Sequence, residues 1–333
     1  MGLDRAVYLL DRGLAPPAKS RAFRRAAELI TLLDTGELER RCADGTITEL
    51  AGIGPSTGSV ICDSVLGRPS QYLERLDATS TQVTTIGAEL RAALAGDLHC
   101  HTAWSDGAVS IEHMARAAMA LGHEYLAITD HSPRLTIAHG LDSERLAEQG
   151  AEIVELNHRL APFRVLRGME VDILLDGGLD LAPDDLLALD IVVASVHSKL
   201  AMPPDEMTRR LVHAVSSTHV DILGHCTGRQ ILGTPRAPSR FDPELVFSAC
   251  ASAGTAVEIN CRPERRDPPD ELLRIAIDAG CLVSINTDAH APGQMEWQPW
   301  GCDTATSLGL RADRVINTWE IDRLLGWRSD RTD

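Results

Sequence analysis

Seven apolar, strand-like runs recur along this chain, and nearly every one ends in a histidine or a carboxylate. The first is Gly96-Asp97-Leu98-His99-Cys100-His101, with Asp106 in the turn that follows. Tyr125–Thr129 runs into Asp130-His131, and Phe163–Met169 into Glu170. Ile191–Val196 ends at His197, and Val220–Gly224 at His225. Thr255–Ile259 ends at Asn260 with Arg262 just beyond, and Leu282–Thr287 ends at Asp288-Ala289-His290. A helical stretch follows each run, and the ends are spaced by roughly 25–40 residues, the length of one strand-helix unit. Parallel strands of a closed βα barrel present all their C-terminal ends at one mouth, where such barrels carry their chemistry.

His99 and His101 alternate with apolar Leu98 and Cys100, so both imidazoles share a strand face. An isolated His-x-His fits a barrel strand without a metal equally well; the recurrence decides the matter. Nine candidate ligands converge: His99, His101, Asp106, His131, Glu170, His197, His225, Asp288 and His290. Mixed imidazole and carboxylate donors suit Zn, Mn or Fe rather than a thiolate-selected metal. The reading is a polynuclear metal site at the barrel mouth.

The remaining composition sets bounds. Its 333 residues suggest about two domains. A formal charge of −16 argues against nucleic-acid binding by bulk charge. Eight cysteines without a C-x-x-C pair, and no signal peptide, are expected of a protein of the reducing cytoplasm. No run of about 18 apolar residues is present to span a membrane.

Residues 1–77 read as all helix. Leu50-Ala51-Gly52-Ile53-Gly54 before Pro55–Leu66 has the form of a helix-hairpin-helix turn. There Gly52, Ile53 and Gly54 would bring backbone N–H groups to a DNA phosphate; an ordinary tight turn is the alternative. Lys19, Arg21, Arg24 and Arg25 strengthen the DNA reading, or form a solvated helix face. The balance over residues 1–80, 10 basic against 11 acidic, weakens it. Residues 78–95 read as a linker and a short lead-in helix, and 96–333 as the barrel.

The N-terminal segment resembles the small N-terminal domain of family X DNA polymerases, through A-F-R-R-A-A at Ala22–Ala27 and L-A-G-I-G at Leu50–Gly54. Where lyase-active members carry a lysine on the second hairpin helix, this chain has Val60, so no deoxyribose-phosphate lyase activity is expected. The linker is too short to hold a polymerase core.

From Gly96 onward the chain resembles the polymerase and histidinol phosphatase (PHP) phosphoesterases, most of all the PHP domain attached to bacterial family X polymerases. The motifs are D-L-H-C-H-T-A-W-S-D-G, T-D-H-S, G-M-E-V-D-I, S-V-H-S, G-H-C-T-G-R, E-I-N-C-R-P-E-R-R-D and N-T-D-A-H. The resemblance implies an α/β fold, a distorted seven-stranded βα barrel preceded by the small all-α helix-hairpin-helix domain, and three divalent metals, Zn or Mn with Fe possible. It assigns His99 and His101 to one ion and Asp106 and His131 to a second, with Glu170 bridging. His197 and His225 hold a third, and Asp288 and His290 close the cluster. Glu170, Asp288 and Arg262 are the catalytic candidates. Arg262 would neutralise charge on the phosphoryl oxygens or form a rim salt bridge with Glu264 or Asp267. Lys199 and Arg229 are weaker phosphate contacts. The family usually reads R-L-D-L where this chain has Arg265-Arg266-Asp267-Pro268, which leaves substrate preference open there.

Several groups get simpler expectations. Asp172 shares a strand face with Glu170 and would orient a ligating histidine. Cys100 faces the core. His113, His123, His158, His213 and His219 are surface or packing residues, while His139 lies near the mouth. Trp297 and Trp300 either stack a base or cover an apolar rim. The expected activity is metal-dependent phosphoester hydrolysis, foremost 3′-end processing of DNA as exonuclease or phosphodiesterase. The alternative is a small-molecule phosphomonoesterase such as histidinol phosphatase. Partners are DNA ends or a small phosphate ester, and no membrane. The complete ligand set argues against a barrel that has lost its chemistry.

Overall fold

A computed structural model describes residues 2–80 and 85–332. It divides into two compact units, Met1–Gln82 with Pro292–Gln294, and Val83–Ala291 with Met295–Asp333.

The first unit is helical: α1 (Gly2–Arg12), α2 (Pro17–Thr31), α3 (Thr35–Asp44), α4 (Pro55–Val65) and α5 (Gln71–Ser80). Pro17 opens α2, where its missing N–H has no intrahelical role. Asp34 caps α3 by accepting from the amides of Gly36 and Glu37, and Gly45 ends it with φ of 73°. Leu10, Phe23, Ala26, Ile53, Val60 and Ile61 bury their side chains together. Arg12, 4% exposed, pairs with Asp77 at 2.5 Å, and Arg24 pairs with Asp11 at 2.7 Å. Arg24 is therefore held within the unit, while Lys19, Arg21 and Arg25 are exposed. α5 continues past residue 77 to Ser80, so the expected linker begins helical; its residues 81–84 lie outside those described.

The second unit alternates strand and helix. After α6 (Ala88–Ala93) come β1 (Gly96–Cys100), α7 (Ile111–Ala120), β2 (Tyr125–Ile128), α8 (Ser143–Leu160), β3 (Arg164–Asp172) and α9 (Pro183–Leu187). Then follow β4 (Ile191–Ser195), α10 (Pro204–Val215), β5 (Ile222–Leu223), α11 (Pro243–Ala253), β6 (Ala256–Asn260), α12 (Asp270–Asp278), β7 (Val283–Asn286), α13 (Gln298–Ser307) and α14 (Ile321–Thr332). All seven strands are parallel and lie in chain order. The strands are buried throughout except at the start of β3, as a sheet covered by helices requires.

No ladder joins β7 to β1; side chains and one bridge close the barrel instead. Asn286 accepts from the Leu98 amide at 3.2 Å, Cys100 bridges Ala289, and the His101 amide donates to Ala289 O at 2.8 Å. Asp97, wholly buried, accepts from the Thr287 amide and, at 2.5 Å, from its hydroxyl. Gly96 is required at the start of β1, because a Cβ there would lie 2.2 Å from the Tyr125 ring. The pairing of β1 with β2 slips between Asp97 and Cys100, next to His99, and such irregularities often adjoin sites. All eight cysteines are free and buried, Cys100 in the core as expected. No helix among the described residues is long and apolar enough to cross a membrane.

Candidate metal centre

The C-terminal ends of the strands bring the nine predicted side chains together around Glu170. Its carboxylate, 1% exposed, sits at 2.8 Å from His225 Nε2, 3.0 Å from His131 Nδ1 and 3.3 Å from His197 Nε2. His225 and His197 share its Oε1, whereas Oε2 faces His131 and, at 3.4 and 3.5 Å, His99 Nε2 and His101 Nε2. Asp106 Oδ1 lies 3.4 Å from His290 Nε2 and 3.6 Å from His131 Nε2. Asp288 Oδ1 lies 3.3 Å from His101 Nε2 and 3.6 Å from His290 Nδ1. Asp288 has φ of 54°, a strained backbone for aspartate that the turn after β7 holds in place.

The donors gather into three overlapping groups: His101, Asp106, His131 and His290; His99, His101 and Glu170; and His131, Glu170 and His197. Within each, one ligand atom per residue lies within 4.8 Å of the others. Two of the expected sets gain further donors. His101 and His290 join Asp106 and His131, and His197 groups with His131 as well as sharing Glu170 Oε1 with His225. Glu170 belongs to two groups, which suits a bridging carboxylate.

Burial and charge make this arrangement incomplete as it stands. His99 and His101 are wholly buried, yet His99 Nε2 and both ring nitrogens of His101 have no hydrogen-bond partner. Unpartnered buried polar atoms of this kind cost about 1–3 kcal/mol each, and cations among them would remove that cost. Burial pushes His101 down to about 3, helped by repulsion from His290 and His131. Burial would also lower His197, but Glu170 and the bond to Asp172 outweigh it and hold this imidazole up at about 9. Burial likewise opposes ionisation of Glu170, yet His197, His99 and His131 hold it well below the usual carboxylate range. The residues present therefore fit a cluster of divalent ions.

A second ring of groups aims the ligands. Asp172 Oδ1 lies 3.2 Å from His197 Nδ1, as expected. Glu258 Oε1 lies 2.7 Å from His99 Nδ1, and its Oε2 accepts from the His225 amide at 2.8 Å. Asp130 accepts from Thr102, Ser105 and Gln149. The sequence reading missed Glu258 and Asp130. The signal for Glu258 was present: a carboxylate inside the apolar run Ala256–Ile259 must face a partner.

Of the two readings of Arg262, the rim salt bridge with Glu264 is present. Arg262 Nη1 donates to Asp288 O at 2.9 Å and lies 3.0 Å from His290 Nδ1, with Nε 3.4 Å from Glu264. It is thus both a brace for the Asp288–His290 turn and a rim ion pair. Arg265, not singled out beforehand, lies closer to the carboxylates, with Nε 3.6 Å from Asp288 Oδ2. Arg229 spends Nε and Nη2 on the carbonyls of Arg265 and Arg266, which ties the loops together. Lys199 and His139 are exposed. Trp297 is 1% exposed and cannot stack a base; it lies beneath the Arg262 guanidinium.

Residues 97–236 match the PHP domain. The DNA polymerase/3′-5′ exonuclease PolX of Bacillus subtilis (strain 168) is 42% identical over 222 residues, 67% of this chain and 39% of that protein. This chain thus corresponds to about two fifths of the polymerase's length. A probable phosphatase of Thermoanaerobacter sp. (strain X514) is 30% identical over 233 residues, 67% of this chain and 89% of that protein. The crystal structure of histidinol phosphate phosphatase from Lactococcus lactis, complexed with Zn, L-histidinol and phosphate, superposes with a TM-score of 0.46 at 18% identity, over 65% of this chain and 94% of that one. With nine ligand-type side chains converging on one barrel mouth and these relatives beside it, the chain belongs to the PHP family of metal-dependent phosphoesterases.

Proposed function

We propose that this PHP enzyme processes the 3′ ends of DNA, hydrolysing terminal phosphodiesters with three divalent ions, Zn or Mn, held by the nine side chains. The observation that carries the reading is the hairpin turn joined in one chain to this barrel. Gly52 has φ of 92°, which glycine adopts without strain, and Gly54 opens α4. The Gly54 amide is spent on Thr57 Oγ1 at 2.9 Å, so a phosphate would be met by the other amides of the turn. We take residues 1–77 as a helix-hairpin-helix domain, 78–95 as a connection and 96–333 as the PHP domain. The relative with the higher identity is titled a DNA polymerase/3′-5′ exonuclease, which supports the same substrate.

In this mechanism the bound ions supply an activated water and neutralise charge on the phosphoryl group. The chain's own groups do the rest. Glu170 and Asp288 would both help hold the ions, and Glu258 and Asp172 fix the rings of His99 and His197. Arg265 sets a positive charge beside Asp288, where developing phosphoryl charge would be met.

A small-molecule phosphomonoesterase is the second reading, because the Thermoanaerobacter probable phosphatase consists almost wholly of the shared region. A 5′-labelled single strand with Mn²⁺ separates the two. A shortening ladder, weakened by K19Q/R21Q/R25Q, supports end processing. Absence of a ladder, with phosphate still released from histidinol phosphate, supports the second reading.

A further inference from the structure

The loops after β5 and β6 are stitched into one shelf at the barrel mouth. Asp267, wholly buried, accepts from the Thr227 amide at 3.1 Å, its hydroxyl at 2.6 Å and the Arg229 amide at 3.2 Å. Arg229 returns the tie by donating to Arg265 O at 2.9 Å and to Arg266 O, and the Ile231 amide donates to Glu264 O at 2.7 Å. The shelf's charge is opposite to that of the protein. Residues 226–240 and 261–267 together carry six arginines against Glu264 and Asp267, in a chain of net −16.

Three of these cations are committed to the fold or the site, and Arg240 is exposed at the far end of its loop. Arg229 holds the loops together, Arg262 braces the Asp288–His290 turn, and Arg265 faces Asp288. Arg236 and Arg266 are engaged differently. Arg236 is exposed and uses Nε on Gly228 O at 2.7 Å, leaving the rest of its guanidinium toward solvent. Arg266 stands with φ of 47°, lies 5.3 Å from the Trp300 ring centroid, and has no hydrogen-bond partner at Nε. A strained backbone holding a cation against an aromatic face beside a phosphoester site is a feature that packing does not explain.

We infer that Arg236 and Arg266 bind a second phosphate of the substrate, the one next along the strand from the phosphodiester at the metal centre. This rests on the strand-end reading above and deepens it: the preferred substrate carries consecutive phosphates, as a nucleotide strand does. Guanidinium pairs with phosphate oxygens in a planar, charge-assisted geometry.

The test compares the full-length protein on the thymidine dinucleotide TpT, which offers only the scissile phosphate, with the trinucleotide TpTpT, which adds a second. The wild-type protein should prefer TpTpT in kcat/KM by about tenfold, chiefly through KM, as one charge-assisted contact of about 1.4 kcal/mol allows. R236Q/R266L should bring the ratio toward one and flatten the salt dependence of KM for TpTpT. Equal efficiency on both substrates in the wild type, or a ratio unchanged in the variant, overturns the shelf while leaving strand cleavage intact. Hydrolysis of p-nitrophenyl phosphate without cleavage of either oligonucleotide overturns the strand-end reading and this inference with it.

Discussion

Two buried carboxylates in the barrel unit have opposite surroundings. Asp221 lies just before β5, at the base, wholly buried. Arg328 Nε stands 2.9 Å from one oxygen and Arg331 Nη1 2.7 Å from the other, and the Val192 amide donates at 2.8 Å. Glu170, at the end of β3, is equally buried but faces five imidazoles, several with unpartnered nitrogens. The base pairs its carboxylate with two arginines of the same unit, although burial still outweighs them and pushes Asp221 up to about 7. The mouth is a donor set completed only by cations from outside. The same barrel thus uses one end for stability and the other for chemistry.

Substitutions should separate the two ends. At the mouth, His101→Ala or Asp288→Ala should lower phosphoester hydrolysis by roughly 10³-fold or more, with the melting temperature of the metal-free protein little changed. Near-wild-type turnover with full metal content would show that these residues are not ligands. At the base, Asp221→Asn should do the reverse. Arg328 and Arg331 keep their carbonyl acceptors but lose their buried counter-charge, which should cost up to about 3–5 kcal/mol of stability by denaturant unfolding, while kcat per folded molecule stays unchanged. A large loss of kcat in that variant would erase the distinction.

Glu258→Gln tests the ground between, since Glu258 is buried like Asp221 but acts on a ligand. It should weaken metal binding about 10–100-fold, read by metal titration, with a smaller effect on folding. The last contrast is in pH. Without metal His197 keeps its proton up to about 9, so an ion binding below that pH must displace it. Affinity should therefore rise as pH increases toward 9, by up to about tenfold per unit for each proton displaced. Calorimetry in buffers of different ionisation heat would count the protons, and a count of zero at pH 7 would contradict the charge assigned to His197. Asp221 ligates nothing and should show no such linkage to metal.

The repeating runs with ligands at their ends made the barrel and its mouth legible in the sequence. Seven strands stand where those runs predicted, because a parallel strand covered on both faces must be continuously apolar. His99, His101, His197 and His225 were readable because an imidazole ending an apolar run has few other uses. The second ring was harder. Glu258 and Asp172 differ in sequence only by strand position, and which imidazole each would touch depends on how neighbouring strands are staggered. The arginines were least legible: Arg262 and Arg229 looked like phosphate contacts, yet loop geometry gives them carbonyls to hold.

The sequence by itself determined the alternation of strand and helix, the side-chain types at the mouth and the helical character of the first 77 residues, since these follow from local periodicity and residue chemistry. The tertiary structure alone decided that Asn286 and Asp97 close the barrel, that Glu170 sits among five imidazoles, and that Asp221 finds two arginines more than 100 positions away. Each of these depends on how far neighbouring strands shift past one another and on where the last helix docks, distances that no local pattern encodes.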